Sequence, residues 1–142
     1  MTVNIDITKE LKAVEKLIKS DINKEKTILG LYNYIFKSDG KKIRSRLNLI
    51  ASSSSKNSDR YKLASIIELL HTATLVHDDV VDNASTRRGA ISVNSLWSNA
   101  HGVLIGDYIY SKAFMLMVEI GKKDILAELA DATNDISQGE LI

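Results

Sequence analysis

The chain has 142 residues, of which 44% are hydrophobic and 26% are charged, and its formal net charge is +1. This composition suits a single globular domain over residues 1–142, and the small net charge provides no attraction for nucleic acid or for an anionic membrane. Cysteine is absent, which excludes a disulfide framework and thiol chemistry and fits a cytoplasmic protein.

The first third of the chain is predicted to be helical. Apolar residues recur there with a helical period, strand-like alternation is hard to find anywhere, and proline is absent, so we predict an all-α fold. Residues 1–26 are charged and amphipathic, without the apolar core of a signal peptide. Helices are predicted over about residues 6–20, 24–36 and 41–52, and the serine-rich segment 52–58 is predicted to be a loop.

Three further helices are predicted after that loop. The first begins near Ser58 or Asp59 and runs to about residue 81, followed by a loop over 83–93 that contains Gly89. Residues 97–120 are apolar nearly all round but are interrupted by charges, so they do not form a membrane span. A helix of this kind is expected in a core or in a subunit interface. The last predicted helix covers about residues 123–137.

Acidic and basic residues cluster where the buried helix is predicted to end. Asp78 and Asp82 are four residues apart, so on a helix their Cβ atoms share one face at roughly 6 Å. Two such carboxylates repel each other unless a cation lies between them, and hard oxygen ligands favour Mg²⁺. Arg87 and Arg88 follow as planar donors for phosphate oxygens. Each pair alone is more often solvated surface, but together they predict a diphosphate site.

These motifs resemble those of the trans-type polyprenyl diphosphate synthases of the isoprenoid synthase superfamily. The nearest likeness is to the long-chain octaprenyl type, which makes quinone side chains such as that of ubiquinone. Asp78-Asp-Val-Val-Asp82 is similar to the family's first Asp-Asp-x-x-Asp motif, and Gly40-Lys-Lys-Ile-Arg44 to its element for isopentenyl diphosphate. His71, Gly106-Asp-Tyr108 and Gln138-Gly-Glu140 also have counterparts. Asp39, Lys42 and Ser45 depart from the usual Gly, Arg and Pro.

The resemblance implies a helical bundle of the isoprenoid synthase type, of which this chain would be the N-terminal half. Family members are longer and carry a second aspartate-rich motif, and the nearest substitute here, Asp131-Ala-Thr-Asn-Asp135, lacks paired aspartates. The implied activity is that of a prenyltransferase, which elongates an allylic diphosphate with isopentenyl diphosphate to a medium or long all-trans polyprenyl diphosphate. Its implied partners are these two substrates and a second copy of the chain, and it would not be an integral membrane protein.

The resemblance also implies a role for each matching residue. Asp78 and Asp82 would bind Mg²⁺ and act with Arg87 in catalysis, whereas Asp79 is a further ligand that points about 100° away on a helix. Arg87 would bind the allylic diphosphate. The residues implied for isopentenyl diphosphate are Lys41, Arg44, His71 and Arg88. The small residues Ala73 and Thr74, about one turn before the acids, would leave the product tunnel open for a long chain.

Two other classes of function stay open at this point. A His-Asp metal phosphohydrolase is suggested by His77 beside Asp78 and by the preceding His71, with His101 and Asp107 as further ligands. Alternatively, the chain is a non-catalytic partner subunit that dimerises through residues 103–118. We expect the 142-residue chain by itself to be inactive and at least dimeric, because helix faces shaped for further segments would be uncovered.

Overall fold

The computed structural model describes residues 7–37, 57–87 and 89–121, followed by residues 123, 124, 126–128, 130, 131 and 134. The predicted helical fold is confirmed. The helices are α1 (Ile7–Lys19), α2 (Lys26–Phe36), α3 (Asn57–Val81), α4 (Val93–Leu96) and α5 (Asn99–Ile120). Two short strands, β1 (Thr86–Arg87) and β2 (Ala90–Ile91), form an antiparallel hairpin within the predicted loop. The helix predicted over residues 41–52 lies outside the described residues.

Side-chain caps set the ends of the helices. The Glu25 carboxylate accepts hydrogen bonds from the backbone N–H groups of Thr27 and Ile28, both at 3.0 Å, at the start of α2. These two bonds favour the charged form and lower the pKa of Glu25. Ser98 caps α5 by accepting from the His101 N–H at 3.1 Å. Gly121 ends that helix in the left-handed region, with φ of 66°.

The core lies mainly between α3 and α5, which form the most extensive helix pair, and α1 packs against α3. Its fully buried side chains include Val14 of α1, Tyr32 of α2, Ile66 and Leu69 of α3, and Ile109 of α5. The Tyr32 hydroxyl is buried with its ring and donates a hydrogen bond to the Ile18 carbonyl. This bond satisfies a polar atom that would otherwise be costly to bury.

Helix α5 is apolar on nearly every side, but only one of its faces is buried within the described part of the chain. One face is buried, including Ile105, Ile109, Ala113 and Leu116. The opposite face leaves large apolar side chains exposed, namely Val103, Leu104, Phe114, Met115 and Val118. The helix is therefore half in the core of the described chain. None of the described helices is long and apolar enough to cross a bilayer.

Two glycines allow α3 and α5 to approach closely. A Cβ atom added at Gly102 would lie 2.6 Å from Cγ2 of Val80, and one added at Gly106 would overlap the imidazole ring of His77. Any larger residue at either position would therefore displace the side chain of Val80 or His77. The two glycines are four residues apart, so they lie on the same face of α5.

The turn between α1 and α2 is held by side chains of α5. Lys112 is buried, and its ammonium group donates to the carbonyl of Ser20. Burial lowers the pKa of Lys112, while the charges of Asp21 and Glu119 act in the opposite direction. Nearby, the Asn23 N–H donates to the Tyr108 hydroxyl at 2.9 Å. These bonds connect the N-terminal helices to the centre of the fold.

Candidate functional site

The predicted carboxylate pair lies at the C-terminal end of α3. Asp82 follows the last helical residue, but its N–H still donates to the carbonyl of Asp78 at 2.8 Å. Helical spacing therefore continues through Asp82, and the two residues lie one turn apart, as the sequence predicted. Asp78 is half-buried and Asp82 is exposed, so both can be reached from solvent.

Asp79 has a different environment, because it is buried and engaged by Arg87. The Arg87 guanidinium donates from Nη2 to Oδ1 at 2.5 Å and from Nε to Oδ1 and Oδ2 at 3.2 and 3.3 Å. The hydrogen bond to Asp79 is the largest of the effects that raise the pKa of Arg87, and the charges of Asp78 and Asp82 add to it. In this structure Asp79 orients the arginine, and its predicted role as a metal ligand stays a prediction.

The hairpin returns Arg87 to the helix that carries the aspartates. Arg87 pairs with Ala90, which leaves a two-residue turn whose second residue is Gly89, with φ of 80°. The base of the hairpin is bonded to the end of α3. The Ala84 N–H donates to the Asp79 carbonyl at 2.9 Å, and Ser92 Oγ donates to the Ala84 carbonyl at 2.7 Å. Sequence reasoning predicted only a loop here. A two-residue connection ending in glycine was the available signal for a hairpin.

A cavity of about 210 Å³ lies beside this arrangement, and its wall includes His71, Asp79 and Arg87. The structure thus brings together two residues that the sequence assigned to different substrates. The wall also includes residues that sequence reasoning missed, namely Tyr34, Lys37 and Glu68. Lys37 Nζ lies 4.4 Å from the centre of the Tyr34 ring. Lys37 could have been suspected, since it precedes the predicted basic element by only a few residues.

The predicted chain-length residues do not lie on this cavity wall. Ala73 is fully buried in the core. Thr74 is half-buried, and its hydroxyl donates to the Leu70 carbonyl at 2.9 Å and lies 3.1 Å from the hydroxyl of Tyr110. Three of the predicted substrate ligands, Lys41, Arg44 and Arg88, fall outside the residues that can be described.

The carboxylate pair fits an ion that is bound jointly with a substrate. Within the described ranges, no group of three or more His, Cys, Asp or Glu side chains is arranged to hold a metal. Mg²⁺ is commonly bound by one or two carboxylates together with water and substrate phosphates, and it does not need a cage made only of protein ligands. Asp78 and Asp82 supply oxygen ligands of this number and kind.

Two of the histidines proposed for a metal phosphohydrolase, His77 and His101, have other partners. His77 Nε2 lies 3.0 Å from the Val103 carbonyl and 3.3 Å from Asp107 Oδ1. His101 Nδ1 lies 2.7 Å from the hydroxyl of Ser98. Both imidazoles therefore make contacts that hold helices, and over residues 57–87 and 89–121 they do not form a joint metal site with the aspartates. The arrangement gives the phosphohydrolase hypothesis no support.

The Arg87–Asp79 pair makes a direct prediction about stability. Replacing Arg87 with alanine leaves the buried Asp79 carboxylate without its guanidinium, so we expect Arg87→Ala to lower the free energy of unfolding by about 1–3 kcal/mol. Urea unfolding would measure this. Asp79→Asn removes the buried charge, and the same arginine substitution should cost less in that background. A cost below about 0.5 kcal/mol for Arg87→Ala alone would mean that the pair does not stabilise the hairpin.

Comparison with known proteins gives a consistent set of relatives. The polyprenyl synthetase family profile matches residues 6–142. The octaprenyl diphosphate synthase of Haemophilus influenzae is 37% identical over 135 residues, which are 93% of this chain and 41% of that protein. The octaprenyl diphosphate synthase of Escherichia coli is 34% identical over 143 residues, covering 99% of this chain and 44% of that protein. The chain thus spans less than half the length of these relatives.

Two solved structures are similar in fold as well as in sequence. A polyprenyl synthase from Caulobacter crescentus, complexed with calcium and isoprenyl diphosphate, matches with a TM-score of 0.88 and 34% identity over 94% of this chain and 42% of its own. A decaprenyl diphosphate synthase from Rhodobacter capsulatus matches with a TM-score of 0.87 and 34% identity over 95% of this chain and 43% of its own.

Proposed function

The chain belongs to the polyprenyl synthetase family, and we propose on this premise that it forms part of a prenyltransferase that joins an allylic diphosphate to isopentenyl diphosphate. The product is a medium- or long-chain all-trans polyprenyl diphosphate, as in the relatives named octaprenyl and decaprenyl synthases. The observation that carries the proposal is the pair Asp78 and Asp82, one helical turn apart, next to a cavity wall that includes His71 and Arg87.

The chemistry requires that charge be neutralised on a departing diphosphate. The allylic C–O bond breaks, the diphosphate leaves with the electron pair, and the double bond of isopentenyl diphosphate attacks the allylic carbon. A proton is then lost from the condensed product, with the released diphosphate as its acceptor. Asp78 and Asp82 would hold the Mg²⁺ whose charge stabilises the leaving group. Both side chains are accessible enough to bind an ion together with a substrate.

The pairing of Arg87 with Asp79 supports a role for this arginine in binding the allylic diphosphate. Its Nε and Nη2 donate to Asp79, and an arginine has five N–H donors. The donors of Nη1 would bind phosphate oxygens while Asp79 keeps the planar group in place. A fixed fork of this kind binds phosphate with less loss of side-chain entropy than a flexible lysine.

His71 would contribute to the binding of isopentenyl diphosphate. It lies on the same helix as the aspartates, two turns before Asp78, and on the same cavity wall as Arg87. Lys41, Arg44 and Arg88 are proposed to bind the same substrate as His71, because they match the family's motifs. This distribution keeps the two diphosphates on neighbouring cationic groups, so the reacting carbons can be brought together.

Product length gives a test of the residues before the aspartates. A suitable assay protein is a chimeric synthase, in which residues 1–142 replace the matching segment of the Escherichia coli octaprenyl diphosphate synthase. Thr74→Phe should shorten the product of this chimera, because a ring would fill the tunnel one turn before the acids. Thr74→Val, which has nearly the same shape without the hydroxyl, is the matched control and should leave the length unchanged.

Chromatography of the extracted products distinguishes these outcomes. Ala73→Phe is the less useful variant, because Ala73 is fully buried and the added ring would overpack the core at a cost of about 1–3 kcal/mol. A product of unchanged length from Thr74→Phe would show that this side chain does not face the tunnel.

A non-catalytic role as a dimerising partner subunit is the second candidate. The exposed apolar face of α5 favours it, because large apolar side chains there are normally buried by association. The same face would serve a catalytic homodimer, so the two candidates differ in activity and not in assembly. Turnover of the chimeric synthase separates them.

A further inference from the structure

His77 makes a set of contacts that the proposed reaction does not use. It lies on α3 immediately before Asp78, and its ring points at α5. The Val103 carbonyl, 3.0 Å from Nε2, can only accept a hydrogen bond, so Nε2 carries the hydrogen and donates. Asp107 Oδ1 is a second acceptor at 3.3 Å from the same nitrogen. One side chain of the helix that carries the aspartates is therefore bonded to two residues of the neighbouring helix.

The ring of His77 also occupies a notch in α5. Gly106 creates this notch, because any Cβ at that position would overlap the imidazole. One turn earlier on α5, Gly102 provides a second notch that is filled by Val80. His77 and Val80 stand on either side of Asp78 and Asp79 in the sequence. The last turn of α3 is thus seated on α5 at two points that flank the acidic residues.

Seating these two side chains determines the direction of the carboxylates. Successive residues on a helix point about 100° apart, so fixing His77 against α5 also fixes the direction of Asp78 and, one turn later, of Asp82. If α3 could rotate or slide on α5, the side chains of Asp78 and Asp82 would point in a wider range of directions. Metal ligands are commonly held in this way by outer partners, whose loss weakens metal affinity about 10–100-fold.

We propose that His77 is a positioning residue: its ring lies in the Gly106 notch, its Nε2 donates to the Val103 carbonyl, and together these contacts fix the two carboxylates of the proposed metal and diphosphate site. This inference rests on the proposed function, because it assumes that Asp78 and Asp82 bind an ion. In this proposal His77 acts through the two carboxylates and is not itself a ligand of the metal or the substrate.

A double-mutant cycle tests the packing of His77 against Gly106 without any ligand. Gly106→Ala should lower the Tm of the 142-residue chain by several degrees, because the added methyl group displaces the ring. In the His77→Ala background the methyl group enters vacated space, so Gly106→Ala should leave the Tm unchanged or raise it. An equal change in Tm from Gly106→Ala in the wild-type and His77→Ala backgrounds would show that His77 does not pack against Gly106.

Binding of Mn²⁺ together with inorganic diphosphate to the same chain tests the positioning, because the proposed ion is bound jointly with substrate phosphates. Mn²⁺ accepts carboxylate and water ligands as Mg²⁺ does, and its binding can be followed by electron paramagnetic resonance. We expect His77→Ala to weaken Mn²⁺ affinity about 10–100-fold. His77→Gln, whose amide nitrogen can donate to the Val103 carbonyl, should recover most of this loss, whereas His77→Phe should not.

The controls separate failure of this inference from failure of the proposed function. Asp82→Ala should abolish specific Mn²⁺ binding, and Asp124→Ala, which removes an exposed carboxylate elsewhere, should not change it. If His77→Ala lowers the Tm but leaves Mn²⁺ affinity within twofold of wild type, the residue only packs and the inference is wrong. If the wild-type chain binds Mn²⁺ no better than Asp82→Ala does, the proposed metal site fails, and the inference falls with it.

Discussion

Asp82→Ala in the chimeric synthase should reduce kcat by about three orders of magnitude or more, with little effect on folding. Loss of one carboxylate ligand removes several kcal/mol of stabilisation from the departing diphosphate, and each 1.36 kcal/mol corresponds to about tenfold in rate. The side chain is exposed at the end of α3, so the core does not depend on it. The measurement is steady-state turnover at saturating Mg²⁺.

Two comparisons make the Asp82 experiment decisive. Asp124→Ala removes an exposed carboxylate far along the chain from the site and should retain normal turnover. Circular dichroism should show the same helical content and thermal transition for both variants. Turnover of Asp82→Ala close to that of the unmodified chimera would remove this residue from the proposed site.

The purified 142-residue chain alone should show no turnover of allylic and isopentenyl diphosphates. Its sequence contains a first aspartate-rich motif but no second one, and it spans 41% and 44% of two curated relatives. Part of the charge stabilisation of the diphosphates is therefore expected to come from residues that this chain does not contain. The chimeric synthase supplies them and should be active, whereas product from the isolated chain in a radiometric assay would contradict this prediction.

The isolated chain should also associate, at least as a dimer. Leu104 is 66% exposed and Met115 69% exposed on the outward face of α5, and burying such side chains between two copies is favourable. Light scattering should give at least twice the monomer mass. Introducing a charge by Met115→Lys should shift the chain to monomer, and Asn33→Lys on the exposed part of α2 is the matched control. A wild-type monomer would contradict the proposed interface.

The sequence predicted where the four longest described helices lie, because each has a clear apolar period or a clear end signal, but it did not predict the one-turn helix α4. The predicted end near residue 81 agrees with α3, and the predicted helix over 97–120 agrees with α5 apart from its start. That start is later because Ser98 caps the helix. Helix α2 likewise begins after Glu25, which a propensity argument treats as an ordinary helical residue.

The site was predictable only where its geometry is local. The spacing of Asp78 and Asp82 within one turn follows from the helix itself. The pairing of Asp79 with Arg87 does not, because it depends on a hairpin whose strands have two residues each and are too short to show an alternating pattern. The packing of the His77 ring against Gly106 likewise depends on how α3 and α5 pack together. The spacing of residues along either helix does not reveal it.

The hydrogen bond from Lys112 to Ser20 has a consequence for synthesis of the protein. The two residues are 92 positions apart, and Asn23 and Tyr108 are 85 positions apart. At translation rates of about 5–20 residues per second, the lysine emerges from the ribosome on the order of ten seconds after the carbonyl that it caps. Helices α1 and α2 are therefore synthesised early, but their bonds to α5 can form only after α5 has been synthesised. Amide hydrogen exchange at Asn23 should report when α5 docks in a nascent chain.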